Sequence, residues 1–316
     1  MLVFVLRRIT ASVPIIIGAT ILTFSLIHLA PGDPAISMLG PMANQAALQT
    51  IRAELHLQDP LPVQYLRWVS RAARGDLGNS IFFRRPVTVE LGERLGPAFL
   101  LASASFFLIL TAGLAIGAVA GLKSHARWEG ALTAIISMGV AIPPFVLGLL
   151  LLVVFSLSLG WLPSGGIRPT TGPATWATTL QYLLLPAIAL AAAPTAVVAR
   201  MTRASVIETL GQDHIRTARA KGLKPRRIIL WHVMRNAIIP VIHILGLELG
   251  YVFGAAALVE IVFAWPGLGS LLVRAVVTRD LPLVQGCVLL LAVLYVGINL
   301  ITDILHGFAD PRVRTC

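Results

Sequence analysis

Residues 95–122 read LGPAFLLASASFFLILTAGLAIGAVAGL, without one charged side chain. At about 1.5 Å per residue, a helix of this stretch crosses about 30 Å of hydrocarbon with length to spare. In lipid every backbone N–H and C=O must find a partner inside the protein, so a continuous apolar run is a helix; barrel strands would alternate apolar and polar residues. Working outward, further uncharged runs occupy 9–32, 130–167, 169–199, 236–247 with 249–259, and 281–302. The expected fold is all-α, a polytopic membrane protein with about six transmembrane helices. Composition agrees. Of 316 residues 57% are hydrophobic and 12% charged, with mean hydropathy +0.84, whereas a soluble domain carries about twice that charge.

The run 9–32 follows Arg7 and Arg8, as a signal peptide would. Its apolar stretch is too long for an ordinary signal, and Ala30-Pro31-Gly32 puts proline where cleavage wants small residues, so an uncleaved first span is expected. Basic residues then set the orientation. With both termini cytoplasmic, the inner segments 1–8, 122–130, 200–236 and 306–316 hold 15 of the 25 basic residues. Seven of the remaining 10 lie in the long 31–96 loop, where charge has little influence on topology. The formal charge of +11 is therefore a topology signal. It is not a nucleic-acid footprint, since no basic stripe is interleaved with stacking aromatics. Two cysteines, Cys287 in a span and Cys316 at the end, exclude a disulfide framework, and no metal-ligand spacing occurs among them and the seven histidines.

Three segments outside the spans carry information. In the extracytoplasmic loop 31–96, Leu48, Ile51 and Leu55, then Val63, Leu66, Val69 and Ala72, recur at helical spacing on either side of Asp59-Pro60-Leu61-Pro62. Two short amphipathic helices are expected. In the cytoplasmic segment 206–236, Asp213 can cap a helix His214–Lys221 that stops at Gly222, and Lys224-Pro225 opens another. Arg216, Arg219 and Lys221 make one side of it basic, with Ile215 and Ala218 on the other. A solvated positive-inside loop is the alternative. In 264–282, the breaker Ala264-Trp265-Pro266-Gly267-Leu268-Gly269 precedes a stripe of Leu268, Leu271, Leu272, Ala275 and Val276. A short outer helix is expected there, either dipping into the mouth of a pathway or capping the interface.

Within the spans, Gly113, Gly117 and Gly121, and Gly246, Gly250 and Gly254, repeat every four residues. That spacing lets helix backbones approach closely, inside the subunit or against another. Glu248 is an intramembrane carboxylate, a pathway candidate because its burial is costly; a protonated packing residue is the alternative. His243 is about 140° round the helix from it. Asn299 is a second pathway candidate. It shares a face with Asp303, four residues on, and a snorkelling pair is the alternative there.

The chain lacks the residues for chemistry of its own. There is no Ser/His pair placed for an intramembrane protease. The nearest match to a nucleotide-binding loop, Gly117 through Gly121-Leu122-Lys123-Ser124, has Leu where the second glycine belongs. A gradient-driven transporter would show paired ionisable residues near the midplane, and Glu248 alone is thin support for one. A pathway with a docking element and no energy source points to a partner that supplies the energy.

The sequence resembles the inner-membrane permease subunits of peptide-type ABC importers, the dipeptide/oligopeptide branch that includes nickel and glutathione permeases. The likeness runs nearly end to end. It rests on Leu6-Arg7-Arg8, Pro31-Gly32-Asp33-Pro34, Gly75-Asp76-Leu77-Gly78-Asn79-Ser80, Phe263 through Gly269, Arg279-Asp280-Leu281-Pro282 and Asp310-Pro311-Arg312. Most specific is Arg216-Thr217-Ala218-Arg219-Ala220-Lys221-Gly222-Leu223, with Arg235-Asn236-Ala237 downstream. It is similar to the ABC permease coupling segment, with Arg216 and Thr217 replacing the usual first two residues. The resemblance implies a type I importer permease in a bacterial or archaeal cytoplasmic membrane, paired with a second homologous permease, two cytoplasmic ATPases and an external binding protein. The ATPases would hold ATP and magnesium, and this chain neither. It further implies that Asp213, Arg216, Thr217, Ala218, Arg219 and Gly222 couple the subunit to an ATPase, with Ala218 small because it lies on the docking face.

Overall fold

The computed structural model describes residues 2–29, 36, 44–54, 58–123, 134, 139, 141–169 and 175–309. Their regular structure is helical: α1 (Leu2–Leu29), α2 (Gln45–Glu54), α3 (Leu61–Ala72), α4 (Val87–Leu122), α5 (Pro144–Ser158), α6 (Trp176–Leu210), α7 (Asp213–Ala220), α8 (Pro225–Val262), α9 (Leu268–Val277) and α10 (Leu281–Ala309). The last seven residues of α5 and residues Ile228–Val233 of α8 are wound as π-helix. Five described helices are long and apolar enough to cross a membrane: α1, α4, α6, α8 and α10. Of the run 130–167, expected as a further span, the structure describes α5, which starts after Pro143 with Pro144 at its first position. Most of that run before Pro143, like Pro31 to Pro34, Leu55, Asp310 to Arg312 and Cys316, lies outside the described residues.

The helices outrun the uncharged runs. α4 starts at Val87 and takes in Glu90, Glu93 and Arg94. α6 continues to Leu210, and α8 begins at Pro225. Charge marks where hydrocarbon ends, whereas a helix stops at a breaker, here Gly211 and the Lys224-Pro225 step. Only 211–224 of the expected 206–236 segment therefore lies outside the long helices.

The main core is built from α4, α6 and α8 with the turn after it: Leu101, Ile109, Leu190, Val198, Val252, Phe263 and Trp265 are buried together. Glycines set the approach of α4 to α6. A Cβ on Gly117 would lie 2.5 Å from the Ala199 carbonyl oxygen, and one on Gly113 or Gly121 would lie 2.8 Å from Val198 or Val206. Gly246 and Gly250 meet Thr302 and Tyr295 of α10 in the same way. Gly254 differs from its stripe: a Cβ there would meet nothing within 4 Å. α1 packs along α10, and Arg8 pairs with Asp303 at 3.2 Å. Asp303 therefore ties the first helix to the last through a charge-assisted contact.

In the 31–96 segment both expected short helices form, but α3 turns a different face inward. Val63 and Leu66 are exposed, while Tyr65 and Trp68 are half-buried. The Tyr65 ring stands edge-on to Phe24 of α1 at 5.5 Å, and its hydroxyl is 2.9 Å from the Thr20 hydroxyl. Aromatic area and a polar tip outweigh two aliphatics at this contact.

Candidate functional site

The connection between α6 and α8 is short and highly ordered by local bonds. α7 is entered through Gln212, whose backbone is extended at φ −73°, ψ 149°. Asp213 is thus the first helical residue, and the expectation that its side chain caps the helix is corrected: no side-chain cap forms. Its negative charge still suits the helix N-terminus, and it pairs loosely with Arg216 at 3.5 Å, both largely exposed. Thr217 donates its hydroxyl to the Asp213 carbonyl at 3.0 Å.

The helix ends as expected. Gly222 has φ +72°, its N–H donates to the Arg219 carbonyl at 2.9 Å, and the Leu223 N–H donates to the Ala218 carbonyl at 3.3 Å. These two bonds are the Schellman motif, which needs a residue comfortable in the left-handed region. Leu223 accompanies it by packing on the cluster that holds Ala218.

α7 is anchored by its apolar side. Ile215 (0% exposed) and Ala218 (5%) pack with Val206 of α6 and Ile228, Val233 and Ala237 of α8. Ser205 of α6 donates to the Ala237 carbonyl at 2.9 Å, pinning the two long helices beside the anchor. The reading of Ala218 as a docking-face residue is therefore corrected: it faces inward, and its small size lets α7 sit close to its own subunit. The outward face carries Asp213, Arg216, Thr217, Arg219 and Lys221, continued by Lys224, Arg226 and Arg227, all exposed. A rigid, cationic, polar ledge results at the junction of two membrane-length helices.

The two pathway candidates are not brought together. Gly246 and Gly250 face α10, so Glu248, two residues from each and about 200° round the helix, points away from it. Asn299 lies on α10. Glu248 is half-buried and makes no hydrogen bond or ion pair among the described residues. No group of His, Cys, Asp and Glu able to hold a metal ion occurs among the described residues.

Sequence reasoning missed a second constellation, at the opposite end of α8. Two segments noted separately, 75–80 and 279–282, are one unit. Asp280, fully buried, accepts the Ser80 hydroxyl, the Phe82 N–H at 3.0 Å and the Leu283 N–H at 3.3 Å. Glu260, 2% exposed, accepts the Ser270 N–H at 2.6 Å. The Trp265 indole donates to the Pro97 carbonyl of α4 at 3.0 Å. Beside them Arg85 pairs with the buried Glu90 and, at 2.8 Å, with Glu93, which hold its guanidinium even more firmly charged than usual. The Gly78 N–H and Arg71 hold the Asp76 carboxyl below the ordinary carboxylate range. α9 buries Leu268, Leu271 and Ala275 as its stripe predicts, whereas Val276 is exposed. The available signal was Glu260 itself, a lone carboxylate between Val259 and Ile261 in an apolar run.

Comparison with known proteins adds the following. A family model described as binding-protein-dependent transport system inner membrane component matches residues 113–315, and the corresponding N-terminal model matches residues 1–81. The chain is similar to the glutathione transport system permease protein GsiC of Escherichia coli, 40% identical over 315 residues and 99% of each chain. The protein of the same name from Salmonella paratyphi A is 39% identical over the same share. Among solved structures, an inward-facing MetNI methionine ABC transporter matches with TM-score 0.58 and 18% identity, over 70% of this chain and 96% of that one. At that identity the likeness is one of fold.

Proposed function

The chain belongs to the family of binding-protein-dependent transport system inner membrane components, and from that premise we propose that it forms half of a translocation pathway for a small peptide. It is a multi-pass permease subunit of an ABC importer of the peptide and glutathione branch, working in a complex with ATPase and binding-protein partners. In the proposed assembly a second homologous permease completes the pathway, one of two cytoplasmic ATPases binds α7 while the other binds the second permease, and an external protein delivers substrate to the α9 end. Both chain termini are then cytoplasmic. The chain itself catalyses no reaction.

The observation that carries this reading is α7: a helix anchored by Ile215 and Ala218, stopped by Gly222, with its charged side left exposed. A partner that closes on ATP can push such a ledge as a rigid body, and α6 and α8, pinned to it, carry the displacement into the membrane. Glutathione, a tripeptide, is the substrate that the names of the relatives support, ahead of longer peptides and nickel. Uptake by the complete complex reconstituted in vesicles tests it. Labelled glutathione or a dipeptide should enter in an ATP-dependent way, and uptake of nickel alone would refute the peptide assignment.

A further inference from the structure

The end of α8 remote from α7 carries a device that the coupling role does not use. After Val262 the chain turns through Phe263 and Ala264, the latter at φ +47°, and the Trp265 N–H donates to the Glu260 carbonyl at 2.7 Å. α9 then runs back along α8, so close that a Cβ on Gly269 would lie 2.5 Å from the Ala257 Cα. The first turn of any helix leaves N–H groups without intrahelical partners. Here Glu260, from the preceding helix, takes the Ser270 N–H at 2.6 Å, and the Ser270 hydroxyl bonds the Trp265 and Gly267 carbonyls at 3.2 and 3.1 Å. Gly267 leaves the Glu260 carboxylate its place: a Cβ there would collide with the carboxylate, which would have to move out of its contact. At its other end α9 closes on Asp280, whose N–H donates to the Ala275 carbonyl at 2.9 Å and whose buried carboxylate holds residues 80 and 82.

α8 is one helix of 38 residues, about 57 Å long at about 1.5 Å per residue. It carries α7 at one end through Gly222 and α9 at the other through Glu260. We infer that Glu260 is a positioning residue of transport, the fastener that makes α9 follow α8 so that motion imposed at α7 reaches the opposite mouth. A buried carboxylate is suited to this, because its charge-assisted bonds fix direction and an unpaired alternative is costly. The inference rests on the importer reading.

The test uses the complete reconstituted complex and measures uptake of labelled glutathione or dipeptide beside basal ATP hydrolysis. Glu260→Ala should lower uptake at least about tenfold while basal hydrolysis and membrane level stay within about twofold. Gly267→Ala should reproduce the defect by clashing with the carboxylate. The double variant should be no worse than Glu260→Ala alone, because both act on one contact. Glu260→Gln keeps an acceptor for the Ser270 N–H and should hold uptake within about threefold of wild type; with Gly267→Ala it carries the test if Glu260→Ala does not insert. Wild-type uptake by Glu260→Ala, additive losses in the double variant, or equal loss of uptake and basal hydrolysis would each overturn the inference alone. A wild-type complex that takes up no peptide would overturn the importer reading with it.

Discussion

Adding one methyl group at Gly117 should force a pair of core helices apart. The Cβ would stand 2.5 Å from the Ala199 carbonyl oxygen, 2.6 Å from Thr202 Cβ and 3.0 Å from Ala199 Cα. Two of these are backbone atoms of α6 and cannot rotate away, so α4 and α6 must separate. Overpacking of this kind costs about 1–3 kcal/mol, against which alanine regains up to about 1 kcal/mol of helix propensity. A net loss of about 1–2 kcal/mol lowers the unfolding midpoint of a chain this size by about 1.5–3 °C. Gly254→Ala is the matched control: with nothing within 4 Å of its Cβ, it should leave the midpoint unchanged or raise it. Thermal unfolding of both variants in detergent measures the difference. An unchanged midpoint for Gly117→Ala would refute the claim that this stripe packs within the subunit.

Ala218→Asp should bury an unpaired charge beside Val206, Ile215 and Ile228 and release α7, abolishing stimulated ATP hydrolysis, whereas Ala220→Asp, on the exposed side, should be tolerated in membrane-level and hydrolysis measurements. Single cysteines at Ser70 and Gln212, both exposed, in a background lacking Cys287 and Cys316, should label from opposite sides with an impermeant thiol reagent; labelling from one side would contradict the proposed orientation. Glu248→Gln should change uptake with basal hydrolysis preserved if this carboxylate lines the pathway, and unchanged uptake would remove it.

The spans were legible because lipid imposes one rule on every residue of a run. Leu95 to Leu122 cannot be anything but helix when no charge interrupts it and no water can satisfy its backbone. Gly222 was legible for a local reason as well, since a left-handed end is written in a few consecutive residues. What escaped was set by contacts distant in sequence. Asp280 and Ser80 are 200 residues apart, and each alone looks like a solvated loop residue. The inward face of α3 depended on where Phe24 and Thr20 of α1 stand, which periodicity within α3 does not encode. Ala218 was placed on the wrong side for the same reason: a short helix has two faces, and the choice between them was made by Val206, Val233 and Ala237.

Gly222 decides whether α7 couples this permease to its ATPase. Its φ of +72° and the open space around it mean that a side chain there is opposed by backbone conformation and not by a clash. Valine in that region costs about 1–3 kcal/mol, enough to break the Schellman end and re-aim the helix, whereas asparagine tolerates it. In the reconstituted complex with its binding protein, Gly222→Val should insert normally yet lose substrate-stimulated ATP hydrolysis, and Gly222→Asn should retain it. Full stimulation in the Gly222→Val complex would mean that α7 does not couple the permease to the ATPase.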